Sequence, residues 1–128
     1  MPAVTLNGTT FTGNVYSADS VRKAPTHVNP KPRKIGTVLE AASGARNMVL
    51  RNSGTPKVDY ELTWDQPVAE TTRAAVRTIF DLSTTFTAIL PQGTVTVQCE
   101  LEDYEENHVL TLPDGTRYFE VKLTLRAP

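Results

Sequence analysis

The chain has 128 residues, 39% hydrophobic and 21% charged, with 13 basic against 14 acidic side chains, one Cys and one Trp. That length supports a core that buries roughly two-thirds of the unfolded surface without metal or disulfide staples, and it is short for a two-domain enzyme. A net charge of −1 leaves no surplus of Lys and Arg to neutralise phosphates, which argues against a sequence-specific nucleic-acid binder. One Cys makes no internal disulfide, and no Cys-His set has metal-ligand spacing, so no cofactor or metal is expected and a reducing compartment is favoured. The opening MPAVTLNGTTFTG lacks a basic segment followed by an apolar run, and no stretch approaches the roughly 18 apolar residues of a membrane span. The expectation is a soluble chain without an export signal. Nineteen Thr, β-branched and stiff at χ1, point to a β-rich fold.

Val4 to Leu6 and Thr9 to Phe11 flank Asn7-Gly8, the dipeptide best suited to the two positive φ values of a type I′ turn, so the chain should open with a hairpin. From Ser17 to Lys34 the sequence carries Pro25, Pro30 and Pro32, the basic residues Arg22, Lys23, Lys31, Arg33 and Lys34, and no periodicity; it reads as a long arm or loop. Such an arm is either mobile or ordered against a partner. Ile35 to Ala41 and Arg46 to Arg51 are short strand candidates around the turn Ala42-Ser43-Gly44. Lys57 to Trp64 alternates Val58, Tyr60, Leu62 and Trp64 with Asp59, Glu61 and Thr63, which predicts a half-buried strand.

After Trp64 the period lengthens to that of a helix, with Pro67 suited to its first position and Val68, Ala75, Val76, Ile79, Phe80 and Leu82 forming an apolar stripe. The reading is one helix over about 67–82, with Glu70 and Arg73 as a surface pair. Strands Thr85 to Leu90, Thr94 to Leu101 and Arg117 to Leu125 follow, set off by Pro91-Gln92-Gly93 and Pro113-Asp114-Gly115, and Asn107 to Leu112 completes a terminal hairpin. The expected fold is a single mainly β domain over 1–128, a β-sandwich or half-open barrel of about seven to nine strands with one flanking helix. Its expected core holds Tyr60, Leu62, Trp64, Val76, Ile79, Phe80, Val95, Val97, Phe119, Val121 and Leu123.

No constellation carries catalysis. His27 lies in the Pro-rich stretch and His108 beside a strand, neither with a nucleophile in sequence reach, and Cys99 reads as a small core hydrophobe. GxGxxG, P-loop, GxSxG and HExxH motifs are absent from the sequence, so no enzyme is expected. Glu100, Glu102, Asp103, Glu105 and Glu106 form the densest charge cluster. It reads as a solvated acidic loop, a protein contact or a cation site, although it lacks the alternating ligands and central Gly of an EF-hand loop. Charge is unevenly divided: residues 1–64 hold eight basic and four acidic side chains, residues 65–128 five and ten. The basic arm and acidic loop would either pair within one subunit or join one copy to the next, closing a ring or growing a stack.

The order of parts, a short strand pair, a long Pro-containing loop, a strand ending DYELTWDQP, the helix TTRAAVRTIFDL, the turn LPQGTVTV and the hairpin LPDGTRYFEVKLTL, resembles small tail proteins of tailed bacteriophages. The likeness covers 35–128 and is nearest to the tail-tube and distal-tail group. That resemblance implies a β-sandwich or barrel flanked by one helix, working as a virion structural protein made in the host cytoplasm. Its subunits would assemble with themselves, commonly as hexameric rings, and with other tail proteins, around a lumen through which DNA passes. Long loops of such proteins contact neighbouring rings, which would employ the 17–34 arm, and the 100–106 loop would suit an acidic lumen. The chain is short for the additional C-terminal domain of larger members, so a host-carbohydrate role carried by such a domain is not expected. The competing expectation is a small β-sandwich carbohydrate- or ligand-binding module, for which Tyr104 and Tyr16 are the aromatics outside the apolar stripes.

Overall fold

The structure, a computed structural model, describes residues 3–14, 16–33, 36–40, 46–50 and 57–128, with 33, 36–40 and 46–50 described as backbone only. In chain order the elements are β1 (Val4–Leu6), β2 (Thr9–Phe11), β3 (His27–Arg33), β4 (Gly36–Glu40), β5 (Arg46–Leu50), β6 (Lys57–Ala69), α1 (Glu70–Phe80), β7 (Phe86–Leu90), β8 (Gly93–Val97), β9 (Tyr104–Thr111) and β10 (Arg117–Leu125). Two four-stranded antiparallel sheets result: sheet I in the order β2-β1-β7-β8 and sheet II in the order β3-β6-β10-β9. They do not close into a barrel. They face each other as a sandwich, joined at one corner where Gln98 and Arg126 exchange backbone hydrogen bonds of 2.9 and 2.8 Å.

Local chemistry explains the hairpins. Asn7 and Gly8 take φ values of 49° and 81°, the left-handed pair that lets β1 and β2 reverse in two residues. The β9–β10 turn is closed by the Leu112 amide donating to Thr116 O at 2.8 Å and by Asp114 Oδ1 accepting from the Thr116 amide at 2.9 Å, with Gly115 at φ 93°.

The core lies between the sheets. Val4, Leu6, Phe11, Phe86, Ala88, Leu90 and Val97 from sheet I meet Tyr60, Leu62, Trp64, Phe119, Val121, Leu123 and Leu125 from sheet II. Helix α1 inserts Val76 and Ile79, while Phe80 and Val95 are only partly buried at the margin. Trp64 is the central knob, with its ring edge-on to Phe11 at 6.2 Å.

Three boundaries differ from the sequence reading. The helix begins at Glu70 rather than Pro67, because 65–69 continue β6 against β10 through a bulge: Val121 pairs with Trp64 and Phe119 with Val68. Pro67 falls within that irregularity, where a missing amide breaks no ladder bond. Strand β9 starts at Tyr104 rather than Asn107, and the stretch after Val97 leaves the ladder, so 98–101 are not strand.

The largest difference is in 17–34, expected as an arm, of which 27–33 is β3, an edge strand of sheet II paired with β6. Pro30 and Pro32 sit at alternate positions with Val28, whose carbonyl accepts from Gln92 Nε2 at 3.2 Å, so all three turn their main-chain groups to the outer edge. An edge strand tolerates proline there. The segment before it is also fixed. Gly13 bridges Lys23, so Arg22 O and the Ala24 amide bond Gly13, while Lys23 turns its own groups inward. There Thr72 Oγ1 accepts from the Lys23 amide at 3.0 Å and Trp64 Nε1 donates to Lys23 O at 2.9 Å. Ala24 and Pro25 are buried beside them.

Strands β4 and β5 form a two-stranded ribbon, Gly36 opposite Leu50 and Glu40 opposite Arg46, inserted between β3 and β6. The turn expected at Ala42-Ser43-Gly44 lies outside the described residues. Among the described residues the ribbon pairs with neither four-stranded sheet.

Candidate assembly surfaces

Of the five basic residues of the expected arm, the three with described side chains are engaged at separate places within the subunit. Lys23 is buried, its ammonium donating to Asn14 O at 2.9 Å and to Ser17 O, so it ties the 14–17 turn to the core of its own subunit. Arg22 Nε donates to Thr10 O at 2.8 Å. Lys31 pairs with Glu61 across β3 and β6. Arg33 ends β3 opposite Lys57 in register, and Lys34 lies outside the described residues.

The acidic cluster is divided as well. Asp103 is buried; its carboxylate accepts from Arg126 Nε at 2.9 and 3.0 Å and from the Glu100 amide, and its carbonyl accepts from the Thr124 amide at 2.7 Å. These bonds lock residues 99–103 into a turn against the end of β10. The carboxylates around Arg126 hold its guanidinium above its usual range, Asp103 foremost. Glu106 faces α1, accepting from Arg73 and Arg77 at 3.3 Å each and from Tyr104 OH at 3.0 Å. With the Phe80–Tyr104 stack at 5.4 Å and Arg73 lying 5.0 Å over Phe119, this docks the helix on sheet II. The surface pair Glu70–Arg73 is made, and Glu70 continues to Arg117 at 3.3 Å. Glu100, Glu102 and Glu105 are the exposed members.

Pairing register places a different set of charges together on the outer face of sheet II. Strand alternation puts Lys31 on it from β3, Asp59, Glu61, Thr63 and Asp65 from β6, Glu120, Lys122 and Thr124 from β10, and Glu105 from β9. Glu61 bridges Lys31 and Lys122, the latter at 3.0 Å, and hydrogen bonds from Lys31 first and Lys122 second hold its carboxyl below the usual carboxylate range. His27 Nε2 meets Asp65 at 2.8 Å at the edge. The same alternation adds Arg33 and Lys57, and Arg126 reaches Asp59 at 3.9 Å, so five carboxylates meet five cations and the face is mixed in charge. The signal for it was the polar half of each alternating strand, which sequence reading credits only as the solvated side.

An open groove of about 720 Å³ lies between the end of α1 and the 99–103 turn, lined by Phe80, Leu82, Cys99, Glu100, Glu102 and Arg126. Leu101 stands at its lip, 95% exposed. Cys99 Sγ donates to Thr124 O at 3.4 Å, and burial, with the nearby Asp103 charge second, pushes its thiol up to about 12. Among the described residues no three His, Cys, Asp or Glu side chains group as metal ligands, and no helix is long and apolar enough to cross a membrane. His27 and His108 face Asp65 and Thr111 on the surface, at 2.8 Å each.

The sequence matches no protein-family model and no curated protein.

Proposed function

We propose that this chain is a structural subunit of a bacteriophage tail, of the tube, distal-tail or adaptor kind. It assembles with itself, a hexameric ring being favoured, and with other tail proteins around a lumen that conducts DNA. The reading is non-enzymatic, with assembly in the host cytoplasm and residence in the virion. It rests on the sequence resemblance given above together with a β-sandwich flanked by one helix. One observation supports it: among the described residues the β4–β5 ribbon pairs with neither four-stranded sheet. A two-stranded ribbon outside a larger sheet is marginal in water, and a neighbouring subunit is the partner this reading supplies for it.

Light scattering after size exclusion, at low and high salt, followed by negative-stain imaging, tests the proposal. Rings or tubes are expected, with association weakened at high salt as exposed charges are screened over roughly 8 to 10 Å. A monomer at every concentration and salt, alone and with tail proteins, overturns it.

A further inference from the structure

Four strands end the two sheets, and three of those edges offer little to a further strand. Arg22 covers β2, its Nε donating to Thr10 O at 2.8 Å and its carbonyl accepting from the Thr12 amide at 3.2 Å. Along β3, Pro30 and Pro32 remove outward amides. Strand β8 has five residues, and the chain beyond it is already bonded at Gln98 to Arg126.

Strand β9 differs. Its eight residues include no Pro, Gly or Lys, and among the described residues no strand lies along its outer side. The Thr124 amide bonds Asp103 O, so 103, 105 and 107 address β10, while Tyr104, Glu106 and His108 turn amide and carbonyl outward. Helix α1 lies mainly over β10 and β6, which leaves this edge clear. The bulge after His108 ends the regular run, so the open edge is 104–108.

That run is complementary to itself in one register. In an antiparallel pair about a two-fold axis, outward residues must meet outward residues. An axis at Glu105 or Glu106 sets that carboxylate against its own copy, and like charges directly opposite oppose pairing. Axes further out meet the 99–103 turn or the bulge. An axis at Asn107 sets two side-chain amides against each other, each with donors and an acceptor to share, and places Glu106 opposite His108 twice. Glu105 then faces Val109, and no like charges oppose.

We propose that β9 is the pairing edge for the β9 of a second copy of this chain, antiparallel about a two-fold axis at Asn107, so that the two copies of sheet II continue as one. The contact is isologous and leaves a β3 at either margin, so it joins copies two at a time. It goes beyond the assembly proposed above and does not depend on a role in a tail.

The test uses the full chain. Asn107→Cys is made in a Cys99→Ser background and mildly oxidised; partners of a non-hydrogen-bonded antiparallel pair lie about 4.5 Å apart at Cα, within disulfide reach. A linked dimer is expected to form faster than from Glu102→Cys, an exposed position off the edge. Adding His108→Glu sets carboxylates against Glu106 at both ends of the pair and is expected to slow the cross-link about tenfold, while His108→Lys is expected to keep it. His108 is exposed, so Tm in both should stay close to the parent's. Cross-linking no faster than in the Glu102→Cys control, or equal in the His108→Glu and His108→Lys proteins, overturns the inference. Faster cross-linking through Glu105→Cys assigns a different register and overturns it as well. Rings that form without the Asn107→Cys cross-link leave the proposed function standing.

Discussion

Thr72→Val isolates one hydrogen bond. Thr72 is fully buried in the first turn of α1, and its hydroxyl oxygen accepts from the Lys23 amide at 3.0 Å. Valine has nearly the same shape, so the change leaves no cavity and removes only the acceptor. The parallel bridge to Gly13 uses Arg22 O and the Ala24 amide, so the Lys23 amide has no other ladder bond to fall back on. An orphaned buried donor costs about 1 to 3 kcal/mol. For 128 residues, an unfolding entropy of about 2.1 cal/mol/K per residue turns each kcal/mol into about 4 °C. The expected fall in Tm is therefore about 4 to 11 °C, with a matching drop in urea midpoint at constant m-value followed by Trp64 fluorescence. Thr72→Ser, which keeps the acceptor and loses one methyl, should cost about 1 kcal/mol. If the valine variant melts at or above wild type, the Lys23 segment is not held by this bond and its assignment as a fixed part of the core is wrong.

Trp64→Ala should cost about 3 to 5 kcal/mol in the same urea titration, since it empties the centre of the core and also strands Lys23 O. Glu61 carries a pH signature: because its folded pKa lies below the ordinary 4.5, its stabilisation is complete above about that pH and fades as pH falls through the folded value. The Tm gap between wild type and Glu61→Gln should accordingly shrink from pH 6 toward pH 3, and a gap that is constant across that range would contradict the Lys31–Glu61–Lys122 bridge. With its pKa near 12, the Cys99 thiol should react with a disulfide reagent at pH 8 about a thousandfold more slowly than a free thiol, and at the ordinary rate in denaturant. Lys23→Glu should lower Tm by several degrees while Arg22→Glu should not, because only the first places a carboxylate against the carbonyls of Asn14 and Ser17.

Elements with strong local chemistry were legible in the sequence. Asn7-Gly8 gave the first hairpin to the residue, and the alternation in 117–125 matches β10. The apolar stripe through Val76 and Ile79 marked the helix, but Pro67 suits a helix start and a strand bulge equally, and only pairing with β10 decides between them. Strand β3 left no periodic trace because two of its seven residues are prolines and Val28 alone supplies an apolar side chain to the core. The charge clusters misled for a related reason. Adjacent carboxylates along 100–106 point in opposite directions once the segment is a turn followed by a strand, so Asp103 and Glu106 are consumed inside the subunit. The charged outer face of sheet II is drawn from four strands distant in sequence, and no local window contains it.

The proline edge gives sheet II a direction. At positions 28, 30 and 32 the outward side of β3 offers a single amide, whereas the ladder phase set by Thr124 and Asp103 leaves the amides of Tyr104, Glu106 and His108 pointing outward along β9. One margin is thus nearly donor-free and the other donor-rich. Copies laid side by side cannot zip these margins into one continuous hydrogen-bonded ladder, and growth by strand addition, the route to irreversible fibres, is blocked on the β3 side. A chain laid along that margin would find carbonyl acceptors but almost no amide donors, so it could form at most half of a ladder there.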